Sequence, residues 1–149
     1  MPHASLDTPA AVQRLVHFFE HLKPEDLGQL SHLYAPHARF VDPFNDVVGQ
    51  EAITAIFTHM FDRLDAPRFV ITERIVQGSQ CFLIWDFHFR FKSFQKDRAQ
   101  TIHGGSHLVF AGGGQVTLHR DYWDAAAELY EKLPVVGSAM RWLKKQATR

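Results

Sequence analysis

The last apolar segment of the sequence carries three residues that could form a catalytic or binding site. His119, Asp121 and Trp123 occupy every second position, so a β-strand would present all three on one face. Aspartate is disfavoured in the middle of a strand, and a buried carboxylate needs a partner such as histidine. We expect Asp121 to act as a general base in a pocket; the alternative is a structural ion pair, for example with Arg90.

A second carboxylate, Asp42, ends a short predicted strand and directly precedes Pro43. In an apolar pocket mouth, desolvation disfavours the charged form of an acid and makes it a better base near neutral pH. An aspartate at such a position also commonly forms a turn by accepting local backbone N–H groups. The residues alone favour the turn, and the catalytic prediction for Asp42 depends on the resemblance described below.

The long strand predicted from 81 to 93 alternates apolar and polar side chains. Asp86 and His88 share one face with Arg90, and the opposite face carries Leu83, Trp85, Phe87, Phe89 and Phe91. If the polar face is concave, Asp86 joins Asp121 in catalysis and His88 contacts the ligand. If the aromatic face forms the core, both polar residues face solvent. The sequence leaves both alternatives open.

Two further histidines could contribute to the same chemistry. His103 and His107 are four residues apart and therefore share one face of the next strand. A histidine beside a carboxylate can act as an acid/base pair, so His107 is a candidate catalytic residue. His103, His107 and His119 could instead bind a metal, but scattered histidines are more often ordinary polar residues. We predict no metal site and no cofactor.

The composition is that of an ordinary globular chain with an excess of aromatic residues. The 149 residues fit one domain spanning 1–149, and 46% are hydrophobic, 21% charged and 13% aromatic. Sixteen basic and sixteen acidic residues cancel, so no broad basic face for nucleic acid is expected. The single cysteine, Cys81, is expected to be a buried thiol. No signal peptide or long apolar run is visible, which predicts a cytoplasmic protein without a membrane partner.

Hydrophobic periodicity predicts three helices with one short strand between them, then a four-stranded antiparallel meander and a tail helix. The helices are expected from Thr8, from Pro24 to Pro36, from Gln50 to Leu64, and again from about Val136. The strands are expected at 38–42, 68–77, 81–93, 99–110 and 115–123. Such segregation of helices and strands predicts an α+β fold.

Two stretches resemble the nuclear-transport-factor-2-like superfamily, which includes ketosteroid isomerases, limonene epoxide hydrolases and SnoaL-like polyketide cyclases. Residues 33–43, LYAPHARFVDP, look like the segment that leads to the general-base aspartate of ketosteroid isomerases. Residues 119–124, HRDYWD, look like the last strand of the other two families, whose first acid works in the pocket. The resemblance implies a cone-shaped α+β barrel, in which a curved antiparallel sheet wraps around the N-terminal helices and encloses a pocket.

The resemblance also implies a small apolar ligand such as a steroid, terpenoid or polyketide. The residues expected to contact this ligand are Trp123, His119, His88, Tyr34, Phe57 and Phe18. Two family features are missing, because the first helix has no tyrosine and Ile84-Trp85-Asp86 lacks the arginine of epoxide hydrolases. The position of the isomerase oxyanion-hole acid corresponds to Ser106 or His107.

Three functional hypotheses therefore remain. The first is a cofactor-free enzyme, an isomerase, cyclase or hydrolase, in which Asp121 or Asp42 moves a proton next to a carbonyl with His107 as partner. The second is a non-catalytic ligand-binding or interaction domain of the same fold. The third, a structural subunit, rests only on the aromatic content of the sheet. A homodimer is expected in each case, because an aromatic outer face would need to be covered.

Overall fold

The computed structural model describes residues 6–93, 96–128, 142–143 and 145–147. The helical segments in these residues are α1 (Thr8–Glu20), a 3₁₀ helix (Pro24–Gln29), α2 (Leu30–Leu33), α3 (Gln50–Arg63) and α4 (Ala125–Glu128). The strands are β1 (Tyr34–Val41), β2 (Asp46–Val48), β3 (Leu64–Gln77), β4 (Gln80–Phe91), β5 (Gln100–Phe110) and β6 (Val116–Tyr122). The predicted α+β class is confirmed.

The strands form one curved, unclosed sheet in the order β2-β1-β6-β5-β4-β3. The predicted meander from β3 to β6 is present, with antiparallel pairing throughout. The prediction of a purely antiparallel sheet is wrong at one pair, because β1 runs parallel to β6. Segment 44–49, for which the sequence pattern predicts no helix or strand, contains the short strand β2. An exposed bidentate ion pair between Arg39 and Asp46 links β2 to β1.

The second helix ends earlier than its sequence pattern predicts. The chain becomes extended at Tyr34, whose side chain is fully buried and whose backbone is in register with Val116 of β6. Pro36 does not end a helix but lies inside β1, within the irregular stretch between Tyr34 and Arg39. Proline is tolerated there because its missing N–H falls where the ladder is already interrupted. This early start of β1 brings a tyrosine into the core.

Helix α1 packs against the concave face of the sheet through the stripe that its periodicity predicts. The buried residues of this stripe are Ala11, Val12, Leu15, Val16 and Phe19. The side chain of Asp7, and not that of Thr8, caps the helix by accepting from the Ala10 N–H. The Thr8 hydroxyl instead donates to the Gly78 carbonyl at 2.7 Å and attaches α1 to the turn between β3 and β4.

The aromatic face of β4 forms the core, which decides between the two alternatives left open by the sequence. Cys81, Leu83, Trp85, Phe87 and Phe89 are all buried, and the residues between them are only partly buried. Burying this row of large side chains removes far more apolar surface from water than the polar row could. Burial also raises the pKa of the Cys81 thiol to about 11, as expected for a structural cysteine.

The Trp85 ring lies over Gly104, its cross-strand neighbour on β5. A Cβ atom added at Gly104 would lie 2.5 Å from a ring carbon of Trp85 and 2.9 Å from the Tyr122 carbonyl oxygen. Glycine is therefore required at this position by lack of space, and not by backbone conformation. Gly104 and Gly105 form a regular part of β5 and no bulge, because β4 and β5 pair without a register shift through this stretch.

The C-terminal part of the chain is only partly described. The predicted helix from Val136 falls mainly on residues outside the described ranges. Among the described residues, no helix is long and apolar enough to cross a membrane.

Replacing Gly104 with alanine should destabilise the fold by about 1–3 kcal/mol, the usual cost of overpacking. The new methyl group would force the Trp85 ring to move. Gly112→Ala is the matched control, because no atom lies within 4 Å of its added Cβ. Urea unfolding curves of both variants test the prediction, and equal midpoints for the two variants would contradict it.

Candidate functional site

The concave face of the sheet encloses two adjoining cavities. The inner one has a volume of about 30 Å³ and the outer one about 230 Å³. Phe57, Phe69, Trp85 and Asp121 line both. The shared wall is therefore aromatic, with one carboxylate on it.

Asp121 is held in this wall by two hydrogen bonds to the same oxygen. The Ser106 hydroxyl donates to Asp121 Oδ1 at 2.5 Å, and His119 Nε2 lies 2.7 Å from the same oxygen. Trp85 Nε1 donates to Ser106 Oγ at 2.8 Å, so the hydroxyl proton is left for the carboxylate. The side chain of Asp121 is 18% exposed and that of His119 is 7% exposed. No described residue has a recorded hydrogen bond to Asp121 Oδ2.

The far side of His119 is bonded to a buried tyrosine. The Tyr34 hydroxyl lies 2.6 Å from His119 Nδ1. Burial, and next the negative charge of Asp121, raise the pKa of Tyr34 well above its ordinary value, so the phenol stays protonated and can donate. We assign His119, from the pattern of hydrogen bonds, as the tautomer that donates from Nε2 and accepts at Nδ1. All four hydrogen bonds then point in one direction, towards the carboxylate.

The hydrogen-bond network contains three predicted site residues, Tyr34, His119 and Asp121. It also contains Ser106 and Trp85, which the sequence did not identify as their partners. The shared face of His119, Asp121 and Trp123 is confirmed, since all three side chains point to the interior. The suggested ion pair between Asp121 and Arg90 is wrong, because Arg90 is exposed at the far end of β4. Tyr34 does not line the cavities but lies behind His119, so it positions that ring and does not contact a ligand.

Asp42 lies on the wall of the outer cavity, but its own loop occupies its oxygens. Asp42 Oδ1 accepts from the backbone N–H groups of Phe44 and Asn45 at 2.8 and 2.7 Å. The Asn45 side-chain amide donates to both oxygens of Asp42 at 3.0 and 3.1 Å. The hydrogen bonds of Asp42 are therefore those of a turn-forming aspartate, as the alternative predicts. Asp42 nevertheless lines the outer cavity.

Three predicted residues lie on the opposite, convex face of the sheet. Asp86 forms an ion pair there with His103 Nδ1 at 2.5 Å. His88 is bonded to the Thr101 hydroxyl at 2.9 Å, and His107 Nε2 to the Gln80 side chain at 2.7 Å. The predictions that Asp86 and His107 act in the pocket and that His88 contacts the ligand are corrected, because strand alternation turns all three away from it.

The remaining predicted contacts divide between the cavity and the surface. Phe57 lines both cavities, and Trp123 lines the outer one. Phe18 lies in a surface groove beside α1, next to Leu33 and Gln29, so its predicted ligand contact in the central pocket is wrong. His119 faces inward and His103 and His107 face outward, so these three do not converge on a metal. The described residues contain no cluster of three His, Cys, Asp or Glu side chains suited to a metal.

Sequence reasoning missed Ser106 as the partner of Asp121 and Trp85 as the donor behind it. Ser106 had been noted only as the equivalent of the isomerase oxyanion-hole acid. Cross-strand register pairs Leu83 with Ser106 and Ser106 with Asp121, and a sequence does not state its register. A serine among the apolar, inward-facing positions of β5 was the available signal.

These elements and this cavity agree with the family to which the sequence is similar. The SnoaL-like domain family model matches residues 15–119, more than half of the chain, and the chain belongs to this family. No curated protein matches the sequence significantly.

Solved structures share the fold at low sequence identity. TsrD from Streptomyces laurentii has a TM-score of 0.71 and 21% identity, covering 87% of this chain and 98% of its own. A ketosteroid isomerase-like protein from Catenulispora acidiphila, in complex with trimethylamine, has a TM-score of 0.69, 18% identity and coverage of 82% and 91%. A candidate SnoaL-like polyketide cyclase from Jannaschia has a TM-score of 0.70, 16% identity and coverage of 85% and 92%. The nuclear-transport-factor-2-like fold is confirmed.

Tyr34→Phe should destabilise the protein by about 1–3 kcal/mol, because it leaves His119 Nδ1 buried without a donor. Tyr122→Phe is the matched control, since the Tyr122 side chain is half exposed and should lose less than about 0.5 kcal/mol. Chemical denaturation measures both values. If Tyr34→Phe is as stable as the control, the hydrogen bond between Tyr34 and His119 does not stabilise the protein as expected.

Proposed function

We propose that this SnoaL-like domain binds a small, largely apolar molecule in its aromatic cavity and that Asp121 transfers a proton to or from it. One observation carries the proposal: two donors fix Asp121 Oδ1 in an apolar wall, while Oδ2 has no recorded partner among the described residues. A carboxylate held in this way is oriented and poorly solvated, which are the two properties that a general base needs.

The reaction class that this supports is proton abstraction next to a carbonyl, as in an isomerase or cyclase. His119 replaces His107 as the histidine beside the base, and it acts as a positioning residue through its hydrogen bond to Asp121. Ser106 has the same role from the neighbouring strand. Asp42 contributes charge at the cavity wall, since its oxygens already anchor the loop. No cofactor is needed for this reaction class.

The alternative, a non-catalytic ligand-binding domain, is favoured by one feature of the same network. Trp85 Nε1 donates to Ser106. The Ser106 hydroxyl and His119 Nε2 donate to Asp121. None of these three donors is directed at the position where an oxyanion would form, whereas ketosteroid isomerase-type catalysis depends on such donors.

The volume of the cavity limits the size of the ligand that it can hold. Its outer part, at about 230 Å³, lies below the range of about 300–1,000 Å³ that is typical of sites for drug-sized molecules. This supports a compact ligand rather than a steroid or a full polyketide. The trimethylamine complex of the Catenulispora protein supports binding of small molecules by this fold.

Asp121→Asn should abolish proton transfer while retaining ligand binding, because asparagine keeps an acceptor oxygen for Ser106 and His119 but is not a base. NMR can follow deuterium exchange at the carbon next to the carbonyl in a panel of small ketones. We expect exchange to fall by about 10²- to 10⁴-fold, and Asp62→Asn, an exposed acid on α3, to retain the wild-type rate. Equal exchange rates in wild type and Asp121→Asn would favour the non-catalytic alternative.

We also propose a homodimer, formed through the convex face of the sheet, in a cytoplasmic protein. The aromatic residues of β4 lie inside the protein, so they are not the outer face that a dimer would cover. The convex face still presents Ile75, which is 57% exposed, and Tyr122, whose ring lies 6.2 Å from that of Phe82. A cluster of this kind on a sheet face is a common site of association.

Ile75→Lys should shift the protein from dimer to monomer, because a lysine at this position would be desolvated by the partner. Val48→Lys is the matched control, since Val48 is 61% exposed on the edge strand β2. Light scattering coupled to size exclusion gives the mass of each variant. A monomeric wild type would refute the dimer directly.

A further inference from the structure

The wall of the outer cavity has an unusual charge pattern. Nine of its fifteen lining residues are aromatic, two are aspartates, and none is Lys, Arg or His. Apart from the base role proposed for Asp121 and the loop anchoring by Asp42, the negative charge of these carboxylates offers nothing to a neutral apolar ligand, and each carboxylate loses hydration there. The pattern instead suits a ligand that is apolar and positively charged.

Asp42 directly follows the end of β1, and Asp121 lies in the neighbouring strand β6. The parallel pairing of β1 with β6 places Phe40 opposite His119 and Val41 opposite Arg120. One residue further along, Asp42 and Asp121 follow, and both line the cavity. Adjacent strands are about 4.8 Å apart, so a single small cation can be near both carboxylates.

The partners of these carboxylates do not neutralise them. Asp42 accepts only from neutral backbone and amide groups of its own loop. Asp121 accepts from the Ser106 hydroxyl and from His119, which the direction of the network assigns as neutral. Arg39 forms its ion pair with Asp46, on the exposed surface of β1 and β2. Among the described residues, neither carboxylate has a lysine or an arginine beside it on the cavity wall, so the wall carries their negative charge.

Two groups of aromatic rings line the cavity that holds the two carboxylates. The rings of Phe44 and Trp123 meet at 71°, with centroids 5.7 Å apart, at the end of the cavity where Asp42 lies. Phe69, Phe87 and Phe89 form a stacked row along another wall, at 4.4 and 5.1 Å. Ring faces attract cations within about 6 Å, and the attraction strengthens when the cation is desolvated.

We propose that this cavity binds a small organic cation, an alkylammonium ion, whose nitrogen lies beside Asp42 and Asp121 and whose methyl or methylene groups contact the rings. The proposal rests on the proposed function in one respect, namely that this cavity is the ligand site. It goes beyond that function by specifying the charge of the ligand.

The test compares ligands that differ only in charge. Choline and 3,3-dimethylbutan-1-ol have the same shape, with a positive nitrogen in one and a neutral carbon in the other. Binding is measured by calorimetry and by the fluorescence of Trp85 and Trp123, with tetramethylammonium and benzyltrimethylammonium extending the size range. We expect at least one cation to bind at least about tenfold more tightly than its neutral isostere, corresponding to about 1.4 kcal/mol.

Two charge-removing variants test where the cation binds. Asp42→Asn and Asp121→Asn keep the acceptor oxygens on which the loop and the network depend, and each should lower the preference for the cation several-fold. Asp62→Asn, on the exposed side of α3, should leave the preference unchanged. Circular dichroism confirms that each variant is folded.

The outcomes separate this inference from the proposed function. If the neutral isostere binds as tightly as the cation, the cation inference is wrong and the cavity remains a ligand site. If no cation or isostere binds at millimolar concentration, the cation inference is overturned. If, in addition, small ketones neither bind nor exchange deuterium, the proposed function fails with it.

Discussion

The structure of the site depends on one constraint, the cost of burying the carboxylate of Asp121 in an aromatic wall. An acid in the middle of a strand, with aromatic rings on the surrounding face, is stable only if its oxygens find donors. Ser106 from β5 and His119 from β6 supply these donors at one oxygen. Asp121 still lines both cavities, and this placement is the basis of the proposed role of Asp121 as a base.

The chain of hydrogen bonds that begins at Asp121 continues through His119 to the buried Tyr34. A donor at Nδ1 favours the tautomer of His119 that donates to the carboxylate from Nε2, and Tyr34 lies 2.6 Å from Nδ1. Burial of Tyr34 raises the pKa of the phenol and keeps it protonated. This explains why the chain enters β1 at a residue that the sequence pattern assigns to a helix. A local helical preference is worth a few tenths of a kcal/mol per residue, less than one unsatisfied buried polar group.

The sequence correctly predicted the features that depend only on the periodicity of a single strand or helix. Alternation placed His119, Asp121 and Trp123 on one face correctly, and the stripe of α1 was predicted from helical spacing. The sequence could not predict which residues are neighbours across strands, because these contacts depend on strand order and register. The parallel pairing of β1 with β6 brings Asp42 next to Asp121, and the pairing of β4 with β5 puts Ser106 beneath Trp85. The face of Asp86 was ambiguous because both faces of β4 contained plausible functional residues, and the larger apolar area prevailed.

The central claim is that the hydrogen bonds from Tyr34 through His119 all point to an ionised Asp121. The most direct measurement is the nitrogen NMR spectrum of the His119 ring at neutral pH, assigned by comparison with His119→Gln. The network predicts a neutral ring with its proton on Nε2, coupled to that nitrogen, and an acceptor signal from Nδ1. A proton found on Nδ1, with Nε2 bare, would reverse the bonds and contradict the account.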